Sequence, residues 1–170
     1  TMDTILQFDH TVIFYIQQHF ISSYLTPIMY WLSKITSAGA LWILISIILM
    51  IQKKYRVIGL GMFISLVLVF IIGDQGLKPH VARLRPFVDF PNVTVPLESA
   101  LPKANSYSFP SGHSFGSFAS AVTIYLGLSQ IAPQKRYLGI IALLGSLVVA
   151  FSRVYLFVHY PTDVLTGLVL

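Results

Sequence analysis

Three short stretches of the sequence carry side chains that could do chemistry on an anion. They are residues 78–85, with a lysine and two arginines; residues 110–113, which read Pro-Ser-Gly-His; and residues 152–163, with an arginine, a histidine and an aspartate. Arginine offers a planar fork to two phosphate oxygens, and lysine adds a point charge. A helix that begins after Ser111 would also direct backbone N–H groups at an anion. The three stretches therefore predict a phosphate-binding site.

The third stretch, together with the second, predicts a nucleophilic mechanism. His159 and Asp163 are four residues apart, so they share a face if a helix begins near His159. The carboxylate could keep one imidazole nitrogen protonated and direct the other nitrogen at phosphorus. His113, from a different helix, would protonate the leaving oxygen and then act as the base for water that attacks the phosphohistidine.

Two other interpretations compete with this mechanism. Two histidines and one or two aspartates could hold zinc, but a metal ion beside Lys78, Arg85 and Arg153 would overcharge the site, so no metal or other cofactor is predicted. A lipid transporter or scaffold with an inactive site is the second alternative, since charges within a membrane also mark transport paths. The complete set of nucleophile, acid and cations favours an enzyme. Asp74 lies four residues before Lys78 and is predicted to form an ion pair with it.

The composition indicates a membrane protein. Of the 170 residues, 55% are hydrophobic and only 10% are charged, whereas soluble domains usually carry about 25% charged residues. The basic residues behind the net charge of +5 lie at the ends of apolar runs, so they indicate membrane lipids or an anionic substrate as partners rather than nucleic acid. The lack of cysteine excludes disulfides and thiolate catalysis. The oligomeric state is not indicated.

Uncharged runs predict the membrane-spanning helices, each of which needs about 20 residues. The runs are residues 35–52, 57–73, 114–134 and 137–152. Residues 4–37 are interpreted as one bent crossing or a pair of shorter helices. A last helix begins at Pro161 but reaches only about 15 Å by Leu170, so it is expected to continue. We predict an all-α, polytopic transmembrane helix bundle of about six crossings, as a single domain over residues 1–170.

The orientation in the membrane depends on what the basic residues do. Residues 86–110 hold five prolines and predict a loop outside the membrane; alternating crossings place the three reactive stretches on the same face as this loop. Five basic residues lie at the other face and six at this one, which decides nothing by count. If several of the six take part in the site rather than set the topology, the positive-inside rule places the site on the extracytoplasmic face of the plasma membrane. We expect this orientation. The two groups are Lys53, Lys54, Arg56, Lys135 and Arg136, and Lys34, Lys78, Arg83, Arg85, Lys103 and Arg153.

In this order and at helix ends, the three stretches resemble the type-2 phosphatidic acid phosphatase family of membrane lipid phosphate phosphatases. The family pattern is a lysine, six residues and Arg-Pro; Pro-Ser-Gly-His; and Ser-Arg, five residues, a histidine, three residues and an aspartate. Every position is filled, and the resemblance covers roughly residues 55–170. It implies a six-helix bundle with His159 as nucleophile, Asp163 as its partner and His113 as general acid.

The resemblance also implies which residues contact phosphate and which lipids are hydrolysed. The implied phosphate contacts are Lys78, Arg85, Ser111, Gly112 and Arg153, with Asp74, Arg83 and Ser152 in supporting positions. The small size and short loops are similar to those of bacterial members. They imply phosphatidylglycerol phosphate as the first substrate and undecaprenyl pyrophosphate as the alternative. The segment 87–109 and the groove shape would decide between the two, and the sequence does not separate them.

Overall fold

The computed structural model describes residues 2–170, and every regular element within them is helical, which confirms the predicted all-α class. Position 1 of the predicted domain lies outside the described residues. Short 3₁₀ turns occur at Ser37–Gly39, Glu98–Ala100 and Pro133–Lys135. The α-helices are α1 (Met2–His19), α2 (Leu25–Ile35), α3 (Ala40–Ile51), α4 (Arg56–Val69), α5 (Lys78–Val81), α6 (Pro86–Asp89), α7 (Gly112–Ile131), α8 (Arg136–Tyr155) and α9 (Pro161–Val169).

The uncharged runs of the sequence form the longer helices. A π-helical segment, Phe70–Leu77, joins α4 to α5, so one helical stretch leads to Lys78. α7 and α8 have 20 residues each, which corresponds to about 30 Å. α9 begins with Pro161, because the fixed φ of proline suits a first helical turn and its missing N–H is not needed there.

The number of membrane crossings is only partly resolved by helix length and composition. Within the described residues, Arg56–Asp89 and Pro133–Tyr155 are long and apolar enough to cross. A third crossing results if Leu25–Ile35 and Ser37–Ile51, which meet at 44°, form one bent span. The predicted total of about six is therefore not confirmed. α7 has the length of a crossing, but it carries buried serines that lower its apolar character.

Residues 4–37 form a pair of short helices, which was one of the two interpretations of this segment. α1 buries Ile13 and Ile16 against the end of α8 and the chain that follows it. The break between α2 and α3 includes Gly39 at φ +71°, a left-handed conformation that glycine adopts without steric cost.

α7 is the central helix, and it packs against α3, α4, α8 and α9. Two glycines allow these helices to approach closely. A Cβ on Gly139 of α8 would lie 2.4 Å from Tyr125 Cα, and a Cβ on Gly167 of α9 would lie 2.8 Å from the Ser111 carbonyl oxygen. Small residues permit such backbone contact in membrane helix pairs. α9 is thereby held against the start of α7, where two of the reactive stretches meet.

Apolar side chains cover the outside of the bundle as well as its interior. Ile64, Leu144 and Leu147, for example, are each about half exposed. An outer surface of this kind is stable in lipid and would be an aggregation hazard in water. The helices and their apolar outer faces therefore indicate a membrane protein, as the composition predicts.

Candidate active site

The three reactive stretches meet at one end of the bundle around a cavity of about 600 Å³. They come from the end of the α4–α5 stretch, the segment before α6, the first turn of α7, the last turn of α8 and the α8–α9 connection. Distant parts of the sequence thus supply one polar wall. Its members are Lys78, Arg85, Gly112, His113, Arg153 and His159.

The contacts of His159 define which ring nitrogen carries the proton. Arg85 Nη1 lies 3.1 Å from His159 Nε2, and because a guanidinium only donates, Nε2 must accept. The proton of the neutral ring is therefore on Nδ1, which lies 3.4 Å from Ser108 Oγ. This tautomer leaves the Nε2 lone pair on the side of the cations.

Asp163 contacts His159 through Ser108 rather than directly. Asp163 Oδ2 lies 3.7 Å from His159 Nδ1, which is longer than a hydrogen bond. The Ser108 hydroxyl donates to the same Oδ2 at 2.5 Å, and the Tyr160 N–H donates to it at 2.8 Å. Ser108 therefore lies between the two groups, accepting from the imidazole and donating to the carboxylate.

Burial and nearby cations oppose protonation of His159. Its side chain is almost wholly enclosed, and burial is the main cause that lowers the pKa of His159 well below 6.5. The positive charges of Arg85, Arg153 and Lys78 lower this pKa further. The imidazole is therefore neutral at pH 7, which is the state a nucleophile requires.

Ser33, near the end of α2, contacts two residues of the polar wall. His113 Nε2 lies 3.2 Å from the Ser33 carbonyl oxygen; because a carbonyl only accepts, Nε2 carries a proton and Nδ1 is the nitrogen left to exchange one. Arg153 Nη1 donates to the Ser33 hydroxyl. Arg153 Nε is buried and has no hydrogen-bond partner among the described residues. A buried guanidinium with an unsatisfied N–H indicates a ligand that brings acceptor oxygens.

The other cations are held in place by local contacts. Lys78 and Asp74 form the predicted i,i+4 ion pair. Arg85 Nε donates to the Ser106 carbonyl at 3.1 Å, and Arg85 Nη1 donates to the Val158 carbonyl at 2.9 Å. These contacts fix two positive charges at the cavity without neutralising Arg85.

Four further predicted site residues lie in or beside the cavity, where Gly112 forms part of the wall and the other three make hydrogen bonds or ion pairs. The Ser111 side chain caps α7, with its Oγ 3.0 Å from Ser114 Oγ. A Cβ on Gly112 would lie 3.6 Å from Lys78 Nζ, within ordinary contact distance of that ammonium. Ser152 Oγ donates to the Val149 carbonyl at 2.6 Å, inside α8. Arg83 is paired with two carboxylates and does not line the cavity.

An apolar groove between α3 and α4 forms the flank of the cavity. Trp42 contributes to this wall, and its Nε1 donates to Ser117 Oγ of α7 at 2.9 Å. The cavity therefore joins a cationic end to an apolar side. The apolar lining includes Ile43, Phe63, Leu66, Val67 and Phe70.

Sequence reasoning did not single out Asp9, Ser33 or Ser108, although each contacts a site residue. The sequence could have indicated a role for Asp9, because a carboxylate among the apolar residues of a helix needs a charged or hydrogen-bonding partner. Ser108 precedes the Pro-Ser-Gly-His stretch by only two residues and could have been included with it. Ser33 is an ordinary serine in an apolar helix, and its contact depends entirely on tertiary structure.

The donor set at this end of the bundle fits an anion better than a metal ion. Within residues 2–170, no three His, Cys, Asp or Glu side chains are grouped as a metal would require. Asp163 already accepts from Arg83, Ser108 and the Tyr160 N–H. The surroundings of His159 are mainly cationic.

Comparison with known proteins gives one consistent family. The family model described as the PAP2 superfamily matches residues 54–170. The chain is 37% identical over 126 residues to an undecaprenyl-diphosphatase of Sulfolobus acidocaldarius, and 34% identical over 126 residues to phosphatidylglycerophosphatase B of Bacillus subtilis. These matches cover 74% and 65% of this chain, but only 56% and 57% of those proteins. The chain thus spans little more than half the length of these relatives.

Among solved structures, the chain is similar to the crystal structure of a transmembrane PAP2-type phosphatidylglycerolphosphate phosphatase from Bacillus subtilis. The TM-score is 0.75 at 26% sequence identity, over 97% of this chain and 79% of that one. Because almost the whole chain is covered, the similarity extends into α1 and α2, which precede the part matched by the family model.

Proposed function

Because this chain belongs to the PAP2 superfamily, we propose that it is a membrane lipid phosphate phosphatase that acts through a phosphohistidine intermediate without a metal ion. The observation that carries the proposal is the cavity, in which two histidines and three cations border an apolar groove. The charge of a phosphate matches the cationic end, and a lipid chain matches the apolar side.

In the first step, the Nε2 lone pair of His159 attacks phosphorus. The N–P bond forms as the bond from phosphorus to the lipid oxygen breaks. His113, protonated on both ring nitrogens once the phosphate dianion lies beside it, gives that oxygen its Nδ1 proton and keeps the Nε2 proton on Ser33. The cations of the polar wall hold the other phosphate oxygens and stabilise the charge that develops on them. Asp163, through Ser108, stabilises the positive charge that the ring of His159 acquires.

In the second step, water attacks the phosphohistidine. His113 accepts a proton from the water at Nδ1, the new O–P bond forms, and the N–P bond breaks with its electron pair returning to His159 Nε2. Inorganic phosphate leaves, and both histidines return to their starting protonation states.

The activity is expected to persist as the pH falls through 6.5. Protonation of His159 removes the attacking lone pair, and because burial and the cations lower its pKa, the acid limb of kcat/KM should lie below pH 6.5. The profile is measured with both a lipid monophosphate and a lipid pyrophosphate. If the acid limb reports ionisation of the enzyme rather than of the substrate, its midpoint is the same with each. A shared midpoint above 6.5 would contradict a neutral, cation-surrounded nucleophile.

Phosphatidylglycerol phosphate is the first proposed substrate. The relative with 34% identity is named phosphatidylglycerophosphatase B, and the similar crystal structure is of a phosphatidylglycerolphosphate phosphatase. Undecaprenyl pyrophosphate is the second candidate, because the relative with 37% identity is named undecaprenyl-diphosphatase.

The substrate is decided by kcat/KM values for the two lipids, measured side by side on the purified protein in detergent. We expect phosphatidylglycerol phosphate to give the higher value, by at least about tenfold, which corresponds to roughly 1.4 kcal/mol in transition-state binding. A preference for the pyrophosphate would assign the second substrate. If neither lipid releases phosphate, the alternative of a transporter or scaffold with an inactive site takes the place of the enzyme.

The cationic end of the bundle is proposed to lie on the extracytoplasmic face of the plasma membrane. Of the six basic residues at that end, four are engaged in the site or its supporting ion pairs, which leaves two against the five at the other end. The positive-inside rule then favours a cytoplasmic location for the five. The four engaged residues are Lys78, Arg83, Arg85 and Arg153.

Because the chain has no cysteine, single cysteines can report the topology. Asn105→Cys, in the loop before α7, is expected to react with a membrane-impermeant maleimide in intact cells, and Gln134→Cys, between α7 and α8, only after permeabilisation. The reverse result would place the site in the cytoplasm. Crossings by α3, α4, α7, α8 and α9 would number five, so the proposed total of about six requires one that precedes Tyr24. If α1 is that crossing, Asp3→Cys reacts only after permeabilisation, whereas a reaction like that of Asn105→Cys would leave the number at five.

A further inference from the structure

Asp9 of α1 is a buried carboxylate outside the part of the chain that the PAP2 family model matches. Its side chain has no exposed surface. A buried carboxylate is destabilising unless donors surround it, so the partners of Asp9 show what it does in the folded chain.

Three donors surround Asp9, and all belong to residues next to the candidate active site. The Thr162 backbone N–H donates to Oδ1 at 2.8 Å. The Thr162 hydroxyl donates to Oδ2 at 2.5 Å, and Arg83 Nη2 donates to the same oxygen at 2.6 Å. Asp9 therefore fixes both the N-terminal turn of α9 and the guanidinium of Arg83.

Arg83 connects Asp9 to the carboxylate behind the nucleophile. Its Nη1 donates to Asp163 Oδ1 at 2.7 Å, while its guanidinium stacks on the Tyr160 ring at 4.0 Å. One positive charge is thus shared by two buried carboxylates. Asp163 therefore keeps more of its negative charge for Ser108 and His159 than it would if it held Arg83 alone.

We propose that Asp9 is a positioning residue for phosphate transfer, acting through Arg83 and Thr162 on Asp163. The inference rests on the proposed function, because it concerns the same nucleophile. Asp9 does not touch the cavity; it sets where Asp163 lies and how strongly Asp163 supports the positive charge that forms on His159.

Asp9→Asn is expected to lower kcat for lipid phosphate hydrolysis about 10- to 100-fold, the usual effect of losing an outer-shell partner. The amide of asparagine carries no negative charge, so the positive charge of Arg83 is then balanced by Asp163 alone. KM should change little, because the cations that hold phosphate are not altered. Asp3→Asn is the matched control: it is the same substitution in the same helix at an exposed position, and it should retain the wild-type rate.

A pH profile separates positioning from a purely structural role. With Asp163 more fully neutralised, imidazolium at position 159 is less favoured, so the acid limb of kcat/KM in Asp9→Asn should move to lower pH. A variant that merely loses folded protein would keep the wild-type midpoint. The charged and titratable groups facing His159 are Lys78, Arg85, His113, Arg153 and Asp163.

A second variant and a double mutant protect the test against misfolding. Thr162→Val keeps the side-chain shape but removes the hydroxyl that bonds Asp9, and it should lower kcat about 3- to 10-fold with a shift of the limb in the same direction. In an Arg83→Gln background, Asp9→Asn should have little further effect, since the connection is already cut. Unshifted profiles in both single variants, or additive losses in the double mutant, would overturn the role of Asp9. If the wild-type protein itself released no phosphate, the proposed function would fail instead.

Discussion

Replacing His159 by alanine is expected to lower kcat/KM for a lipid phosphate by on the order of 10⁴-fold or more, as loss of a covalent nucleophile does in other enzymes. The neutral ring presents its Nε2 lone pair to the cations, and alanine removes the atom that would form the bond to phosphorus. Rapid denaturation of the wild-type protein during turnover should trap phosphate bound to protein, and the variant should trap none.

The matched control is His19→Ala, which removes an exposed histidine of α1 and should leave the rate unchanged. Wild-type activity should also persist in EDTA. Full activity in His159→Ala would remove the proposed mechanism. Activity that disappears in EDTA and returns with zinc would favour the metal interpretation.

Replacing Arg153 by lysine is expected to lower kcat about 10²- to 10³-fold, which is the usual cost of losing one donor to a transition-state oxyanion. Arg153 uses Nη1 on Ser33 and keeps a buried Nε–H unsatisfied by the described residues. A lysine would keep the charge, but it cannot hold Ser33 and a phosphate oxygen with a planar fork. The measurement is steady-state phosphate release by the purified variant, with its thermal stability followed in parallel.

The control for this variant is Arg136→Lys, the same substitution at an exposed position at the opposite end of α8. It should behave as wild type in both assays. A wild-type rate for Arg153→Lys would show that positive charge alone is sufficient and that fork geometry is unimportant.

The helices and the grouping of the reactive stretches could be predicted because both depend on local sequence. Runs without charge indicate spans, and proline at position 161 indicates a helix start, so α4, α7, α8 and α9 lie close to where the sequence places them. The convergence of Lys78, His113 and Arg153 followed from alternating helices, which bring every second helix end to one face.

The contacts around the nucleophile could not be predicted, because they depend on how distant segments pack. Spacing suggests that Asp163 bonds His159 directly, yet the Ser108 hydroxyl lies between them. No pattern in the sequence relates Asp9 to Arg83, which are 74 positions apart. The segment 4–37 was ambiguous for a related reason: an amphipathic helix packed at a bundle end and a short crossing have similar apolar patterns.

The acid and nucleophile halves of the site meet in a main-chain contact between α7 and α9. The Ser111 N–H donates to the Asp163 carbonyl at 3.0 Å, and Gly167 brings α9 onto the Ser111 carbonyl. This main-chain contact contains no reactive side chain, so replacing His113 or His159 leaves it intact. The loss of rate in such a variant then reports on the chemical step rather than on unfolding. A chimaera that took its last helix from another member of the superfamily would keep the two halves in the same relative position, provided that it also had glycine at position 167.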